Sequence, residues 1–165
     1  FYEYGHRKIA YLGSSGDTEY IRNRHLGFRR GMEKHNLIPH FFHPNPGGTR
    51  PDSVFEQADH LYSAGFQAVV TETDVYAMEL MEWAYRNHVR IPEELSMTGF
   101  SNAAFSGISV VPLTTVAQPL PLLGTAAAGR LVDWIEEDSE EAFHETSNIT
   151  FPVKLLVRNS VYRIG

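Results

Sequence analysis

Short apolar runs alternate with helix-length amphipathic stretches along most of this 165-residue chain. Lys8–Gly13 (KIAYLG), His40–His43 (HFFH), Gln67–Thr71 (QAVVT) and Leu95–Gly99 (LSMTG) read as strands, closed by glycine or polar residues. Between them, Tyr20–His35, Val54–Ala64 and Asp74–His88 carry apolar residues at helical spacing, with Asn36, Pro39, Gly65 and Pro92 as stop signals. Strands that are apolar without polar alternation must be covered on both faces. The expected fold class is therefore α/β, a parallel sheet with helices on both sides. Ligands of such sheets bind beyond the carboxyl ends of the strands. Here the qualifying loops are Ser14–Glu19, Pro44–Asp52, Glu72–Asp74 and Ser101–Ser106.

The second half adds an extended crossing at Thr114–Val116 and an amphipathic helix over Leu120–Glu136, with Leu123, Ala127, Leu131 and Ile135 in register. An acidic turn, Glu136–Glu141, follows, and short closing strands are expected at Ile149–Phe151 and Lys154–Val157. Composition narrows the function classes. There is no cysteine, which excludes thiol nucleophiles, disulfides and zinc-thiolate sites. A net charge of −6 argues against this segment gripping nucleic acid through clustered Lys and Arg. No apolar run is long enough to span a membrane. The histidines are scattered: His40 and His43 lie three apart in a strand and face opposite sides. No metal site, cofactor or catalytic residue is expected, since HExxH, Walker, GxGxxG and G-x-S-x-G patterns are all missing.

Individual residues carry more. Arg24 precedes Phe28 by one helical turn, so its guanidinium lies on or beside the apolar stripe and needs a partner or a ligand. Its planar fork suits vicinal hydroxyls or a carboxylate, with an internal ion pair as the alternative. Asp74 reads first as a helix N-cap, since it follows a strand and opens a helix. Met78, Met81, Glu82 and Tyr85 form a second stripe on that helix, beyond the one a covered sheet requires. They suit either core or a subunit surface.

These residues fall into a wording that resembles the effector-binding domain of the LacI/GalR (lac repressor/galactose repressor) family of transcription regulators. The resemblance is carried by GHRKIA at Gly5–Ala10, Arg24-His25-Leu26-Gly27-Phe28, Thr73-Asp74 with Ala77, IPEELSMTGFSN at Ile91–Asn102, PLTTVAQP at Pro112–Pro119 and VRNSV at Val157–Val161. It implies a type I periplasmic-binding-protein-like fold. Residues 1–115 and about 150–161 would form most of the C-terminal subdomain, and residues about 118–145 the return segment to the N-terminal subdomain. The rest of that subdomain and a DNA-binding headpiece would lie upstream, and the chain is expected to be a fragment. The resemblance implies an effector site at Arg24, Ser101, Asp74, Thr73, Thr18, Tyr20 and Asn102. It also implies a dimer surface at Met78, Met81, Glu82, Tyr85, Phe105, Ile108 and Val110.

The implied function is allosteric and cytoplasmic: a small molecule, a sugar or related metabolite, controls the operator affinity of a homodimer. The alternative is a periplasmic sugar-binding protein of a transport system. One departure stands out. Ser101 occupies a position where the family usually has Asp, and Thr73 stands in place of the usual Asn. An acceptor from Asn102, Glu72 or Asp17 would have to compensate for Ser101, or the ligand differs, or the segment is an ordinary polar loop that has lost effector binding.

Overall fold

The computed structural model describes residues 1–44, 52–137 and 149–165. Six strands are separated by helices: β1 (Ile9–Leu12), α1 (Glu19–Glu33), β2 (His40–Phe42), α2 (Asp52–Ser63), β3 (Ala68–Thr71), α3 (Asp74–Arg86), β4 (Ser96–Ser101), β5 (Thr114–Ala117), α4 (Leu120–Glu137) and β6 (Lys154–Leu156). Short 3₁₀ turns occupy Tyr2–Tyr4 and Ala104–Gly107. The strands form one sheet in the order β2-β1-β3-β4-β5-β6. The pairs β1–β2, β1–β3 and β3–β4 are parallel, in registers that set Tyr11 opposite Phe41 and Val70, and Val69 opposite Met97.

The expected coverage of both faces is observed, and the strand alternation explains it. Ala10, Leu12, Val69 and Met97 point to one side, where Val54, Ala58 and Leu61 of α2 and Ala77, Leu80 and Ala84 of α3 close over them. Ile9 and Ala68 point to the other, against Met32 and Phe28 of α1. Every residue of β1 is buried, as a central strand between two helical layers must be. Trp83 Nε1 donates to Asp59 Oδ1 at 2.8 Å and so pins α3 to α2.

The chain divides into two compact units, Phe1–Val116 with Leu155–Gly165, and Ala117–Lys154. In the second unit α4 leaves Leu122, Leu131, Val132 and Ile135 at least half exposed.

Three expectations are corrected. Thr73, not Asp74, is the N-cap of α3. Thr73 has extended backbone and its hydroxyl accepts from Tyr76 N–H at 3.5 Å, while Asp74 is the first helical residue. Strand β4 runs on to Ser101, so Phe100 and Ser101 belong to the sheet and not to a loop. Residues 149–151 form no strand, and only Lys154–Leu156 pairs. The expected loop at 45–51 and acidic turn at 138–141 lie outside the described residues.

Candidate functional site

The sheet order places a reversal at β1. From β1 the chain steps outward to β2, then returns past β1 to β3. At such a point the loops leaving the two adjacent strands diverge, and a crevice opens beyond their carboxyl ends. Gly13-Ser14 leave β1 and Glu72-Thr73 leave β3 there. The two ends are pressed together: a Cβ on Gly13 would lie 2.5 Å from Cβ of Glu72. Ser14 donates to the Glu72 carboxylate from its backbone N–H and from its hydroxyl, both at 2.8 Å. Glu72 is only 3% exposed. Its carboxylate has no cation within ion-pair distance among the described residues, so these Ser14 bonds stabilise it in place of a counter-charge.

Arg24 comes down onto this junction from α1. Its Nη1 donates to the backbone carbonyl of Glu72 at 2.8 Å. Its guanidinium carbon sits 4.1 Å from the centre of the Phe100 ring and 5.2 Å from that of Tyr20. One hydrogen bond and two ring faces fix the orientation of the fork, and the side chain stays half-buried. The sequence expectation that Arg24 lies beside the apolar stripe is observed, since Ile21 is buried and Phe28 half-buried on the same helix. Thr18 is the N-cap of α1, with extended backbone and no side-chain capping bond.

The end of β4 forms the next wall. Ser101 and Asn102 have φ of +114° and +54°. Two successive non-glycine residues with positive φ are costly, and such strain persists where the surroundings over-determine it. The surroundings here are specific. Asn102 Oδ1 accepts from Arg158 Nη2 at 2.8 Å, and Arg158 Nη1 also donates to the Leu113 carbonyl at 2.7 Å and to Ser106 Oγ at 3.1 Å. Arg158, from the closing VRNSV segment, thus clamps the turn after β4.

Asp74 has a different role from the one expected for it. It is fully buried, with Oδ1 accepting from Thr115 Oγ1 at 2.6 Å and Oδ2 from Ala103 N–H at 2.7 Å. It is a brace inside the wall and offers no free oxygen to a ligand. Asn102 is similarly engaged by Arg158. Arg24, Tyr20, Phe100 and Thr73 are brought together around the Glu72 carbonyl, with Ser101 next in the chain to Phe100. Sequence reasoning missed Phe100 as the ring beneath Arg24. Its signal was the uninterrupted run Ser96–Ser101, which made a longer strand available.

Beside the reversal lies an aromatic cluster: Tyr11, His25, Phe28, Phe41 and His43, with neighbouring ring centres 5.0–6.0 Å apart. His43 Nδ1 bonds to the Gly13 carbonyl at 2.9 Å. Burial, then the nearby His43, holds His25 below the ordinary imidazole range, and Glu72 opposes this. Burial also pushes the Tyr11 phenol up, with the Glu72 charge adding to it. No group of three or more His, Asp or Glu is placed to hold a metal among the described residues.

A second concavity lies on the first unit, on the outer face of α3. A groove of about 670 Å³ is lined by Val75, Met78, Glu79, Met81, Glu82 and Tyr85 of α3, with Val89, Ile91, Phe105, Val110 and Val111. Tyr85 is 83% exposed and Val110 fully so. Six of the seven residues named from the sequence for a subunit surface line this groove. The seventh, Ile108, is exposed but outside the lining. Burial, with Glu82 as a like-charged neighbour, raises the Glu79 carboxyl above the usual range.

Comparison with known proteins identifies the family and the fold. The model of the periplasmic binding protein-like domain matches residues 1–161. Among curated relatives, the HTH-type transcriptional repressor PurR of Vibrio vulnificus is 28% identical over 163 residues, 98% of this chain and 48% of that protein. The HTH-type transcriptional regulator DegA of Bacillus subtilis is 29% identical over 157 residues, 94% of this chain and 45% of that protein. Among solved structures, a LacI family transcriptional regulator from Enterococcus faecium with bound ribose superposes with a TM-score of 0.85 at 22% identity. That match covers 99% of this chain and 60% of that one. The Escherichia coli transcriptional repressor ascG gives a TM-score of 0.79 at 24% identity, covering 98% of this chain and 58% of that one. The chain spans about half the length of the curated relatives it matches.

Proposed function

Because the chain belongs to the periplasmic binding protein-like domain family, we propose that it is the ligand-sensing and dimerisation part of a cytoplasmic DNA-binding transcriptional regulator. A small-molecule effector, a sugar or related metabolite, binds at the strand ends around Arg24. Operator DNA is bound by a headpiece outside this sequence. The observation that carries the reading is the Arg24 guanidinium, held by the Glu72 carbonyl and the rings of Phe100 and Tyr20 at the sheet's reversal point. The curated relatives described above are regulators, which favours this reading over a transport protein of the same fold. The site supports binding; its carboxylates Glu72 and Asp74 are both engaged within the protein and supply no acid–base pair.

The groove on α3 is the surface for a second copy of the chain. Its lining is mostly apolar, with two Met, four Val, Ile91 and Phe105 beside Glu79 and Glu82, and the exposed Tyr85 adds an aromatic anchor, a composition suited to a subunit interface. Effector binding shifts the relative population of two states of the dimer and so changes operator affinity, with a coupling of about 1–3 kcal/mol. The test uses the full-length protein. A thermal-shift screen over sugars and nucleobases finds a compound that raises the melting temperature. Operator binding, followed by fluorescence anisotropy, is then measured with and without it. A compound that binds yet leaves operator affinity unchanged at every concentration overturns the regulatory reading.

A further inference from the structure

The charge state of the effector is written in which side chains around Arg24 are already engaged. We propose that the effector carries an oxyanion group, a carboxylate or a phosphate, and that this group seats on Arg24. This rests on the reading of the strand ends as a small-molecule site.

Arg24 has five N–H donors, and among the described residues only Nη1 has a partner, a neutral backbone carbonyl. Nε and Nη2 have none. The Phe100 and Tyr20 rings hold the guanidinium plane without neutralising it. No carboxylate lies within ion-pair distance of the guanidinium among the described residues. Glu72 receives Ser14 at both oxygens, Asp74 receives Thr115 and Ala103, and Asp17 pairs with Arg22 in solvent. Asn102 is turned onto Arg158. What remains next to Phe100 is Ser101, a neutral hydroxyl with no hydrogen-bond partner of its own among the described residues, and next to Glu72 is Thr73, whose hydroxyl accepts only a long bond from Tyr76 N–H. A pre-oriented fork with two unclaimed donors and no carboxylate paired to it matches an oxyanion. Such charge-assisted bidentate bonds are about twice as strong as neutral ones. A neutral sugar would leave the Arg24 charge unbalanced on its half-buried side.

The experiment is isothermal titration calorimetry on the full-length protein. The probes are sugar acids and sugar phosphates, each beside its neutral parent: gluconate with glucose, ribose 5-phosphate with ribose. Each is run at low and at high salt. The expected result is that the charged member of at least one series binds at least about ten-fold more tightly than its neutral parent, and that the advantage shrinks at high salt. The series that shows it tells carboxylate from phosphate. Arg24→Gln abolishes the advantage, and Arg24→Lys, which keeps the charge but not the fork, retains part of it. Melting temperatures within a few degrees of wild type show that the variants fold.

Equal or tighter binding of the neutral members overturns the charge assignment and leaves the effector reading intact. Silence from every charged and neutral sugar overturns this proposal; the effector reading falls only if the nucleobases of the thermal-shift screen are silent as well. A charged-ligand advantage that survives in Arg24→Gln removes Arg24 as its seat.

Discussion

Asp74 and Thr115 are joined by a 2.6 Å hydrogen bond between residues 41 positions apart, with no solvent at the carboxylate. The other oxygen of Asp74 takes the Ala103 N–H. One side chain at the start of α3 therefore holds both the turn that follows Ser101 and the strand through which the chain leaves this unit. Six of the groove residues sit on the same helix, so the strand-end residues and the groove are tied to one brace. Asp74→Ala leaves the Thr115 hydroxyl and the Ala103 N–H unsatisfied in the interior. The expected loss is about 1–3 kcal/mol for each orphaned group, read as a lowered urea midpoint. Asp74→Asn can still accept one of the two bonds and should lose less. Equal stability of all three proteins would show that the brace contributes nothing.

Gly99 and Gly27 make a matched pair. A Cβ at Gly99 would fall 2.1 Å from Asp74 Oδ1 and 2.8 Å from Leu113 Cδ2, both buried. Gly99→Ala should destabilise by about 1–3 kcal/mol or more through overpacking. At Gly27, inside α1, a Cβ meets nothing within 4 Å. Gly27→Ala should stabilise by about 0.5–1 kcal/mol through the helix backbone alone. Thermal unfolding of the two variants should move in opposite directions.

Arg24→Ala should weaken binding of whatever effector the thermal-shift screen returns by about 1.5–3 kcal/mol, the range for hydrogen bonds from a charged donor. The urea midpoint should change little, because within the protein Arg24 makes a single hydrogen bond, at the surface of the site. Calorimetry showing unchanged affinity would take Arg24 out of the site.

Tyr85→Asp tests the groove. Because Tyr85 is largely exposed on the isolated chain, its replacement should alter monomer stability by no more than about 0.5 kcal/mol. If the groove holds a second copy, as proposed above, a charge at its Tyr85 edge should weaken that association, seen as a lower mass in sedimentation velocity. A variant that sediments like wild type would place the subunit contact elsewhere.

His25 gives a pH dependence of defined sign. Its folded-state pKa is held down, chiefly by burial and then by His43. The unfolded chain therefore takes up the proton first, as pH falls below about 6.5. The stability linked to His25 is fully present above that value and is lost as pH falls through the folded-state pKa. The urea midpoint of wild type should fall relative to that of His25→Phe between about pH 7 and about pH 5. Parallel curves would show that His25 titrates alike in both states.

The sequence made the layers legible because hydrophobic period is local information. Ala77, Leu80, Met81 and Ala84 fall on one helical face and are buried in the structure. Arg24 was legible for the same reason, as a cation one turn from Phe28. The site's internal wiring was not. Ser14 meets Glu72 across 58 residues, Arg158 meets Asn102 across 56, and Asp74 meets Thr115 across 41. No periodicity encodes which buried carboxylate will be engaged by which distant donor. Asp74 therefore read as a cap and candidate ligand contact, and proved to be a brace with both oxygens occupied.

The contact between Gly13 and Glu72 limits how a site of this kind can change. With 2.5 Å between the Cβ atom of Glu72 and any Cβ that residue 13 acquired, residue 13 cannot take a side chain unless Glu72 gives way. The ends of β1 and β3 can therefore stay this close only while residue 13 is glycine, and a change at Gly13 is felt first at the Glu72 carbonyl that holds Arg24.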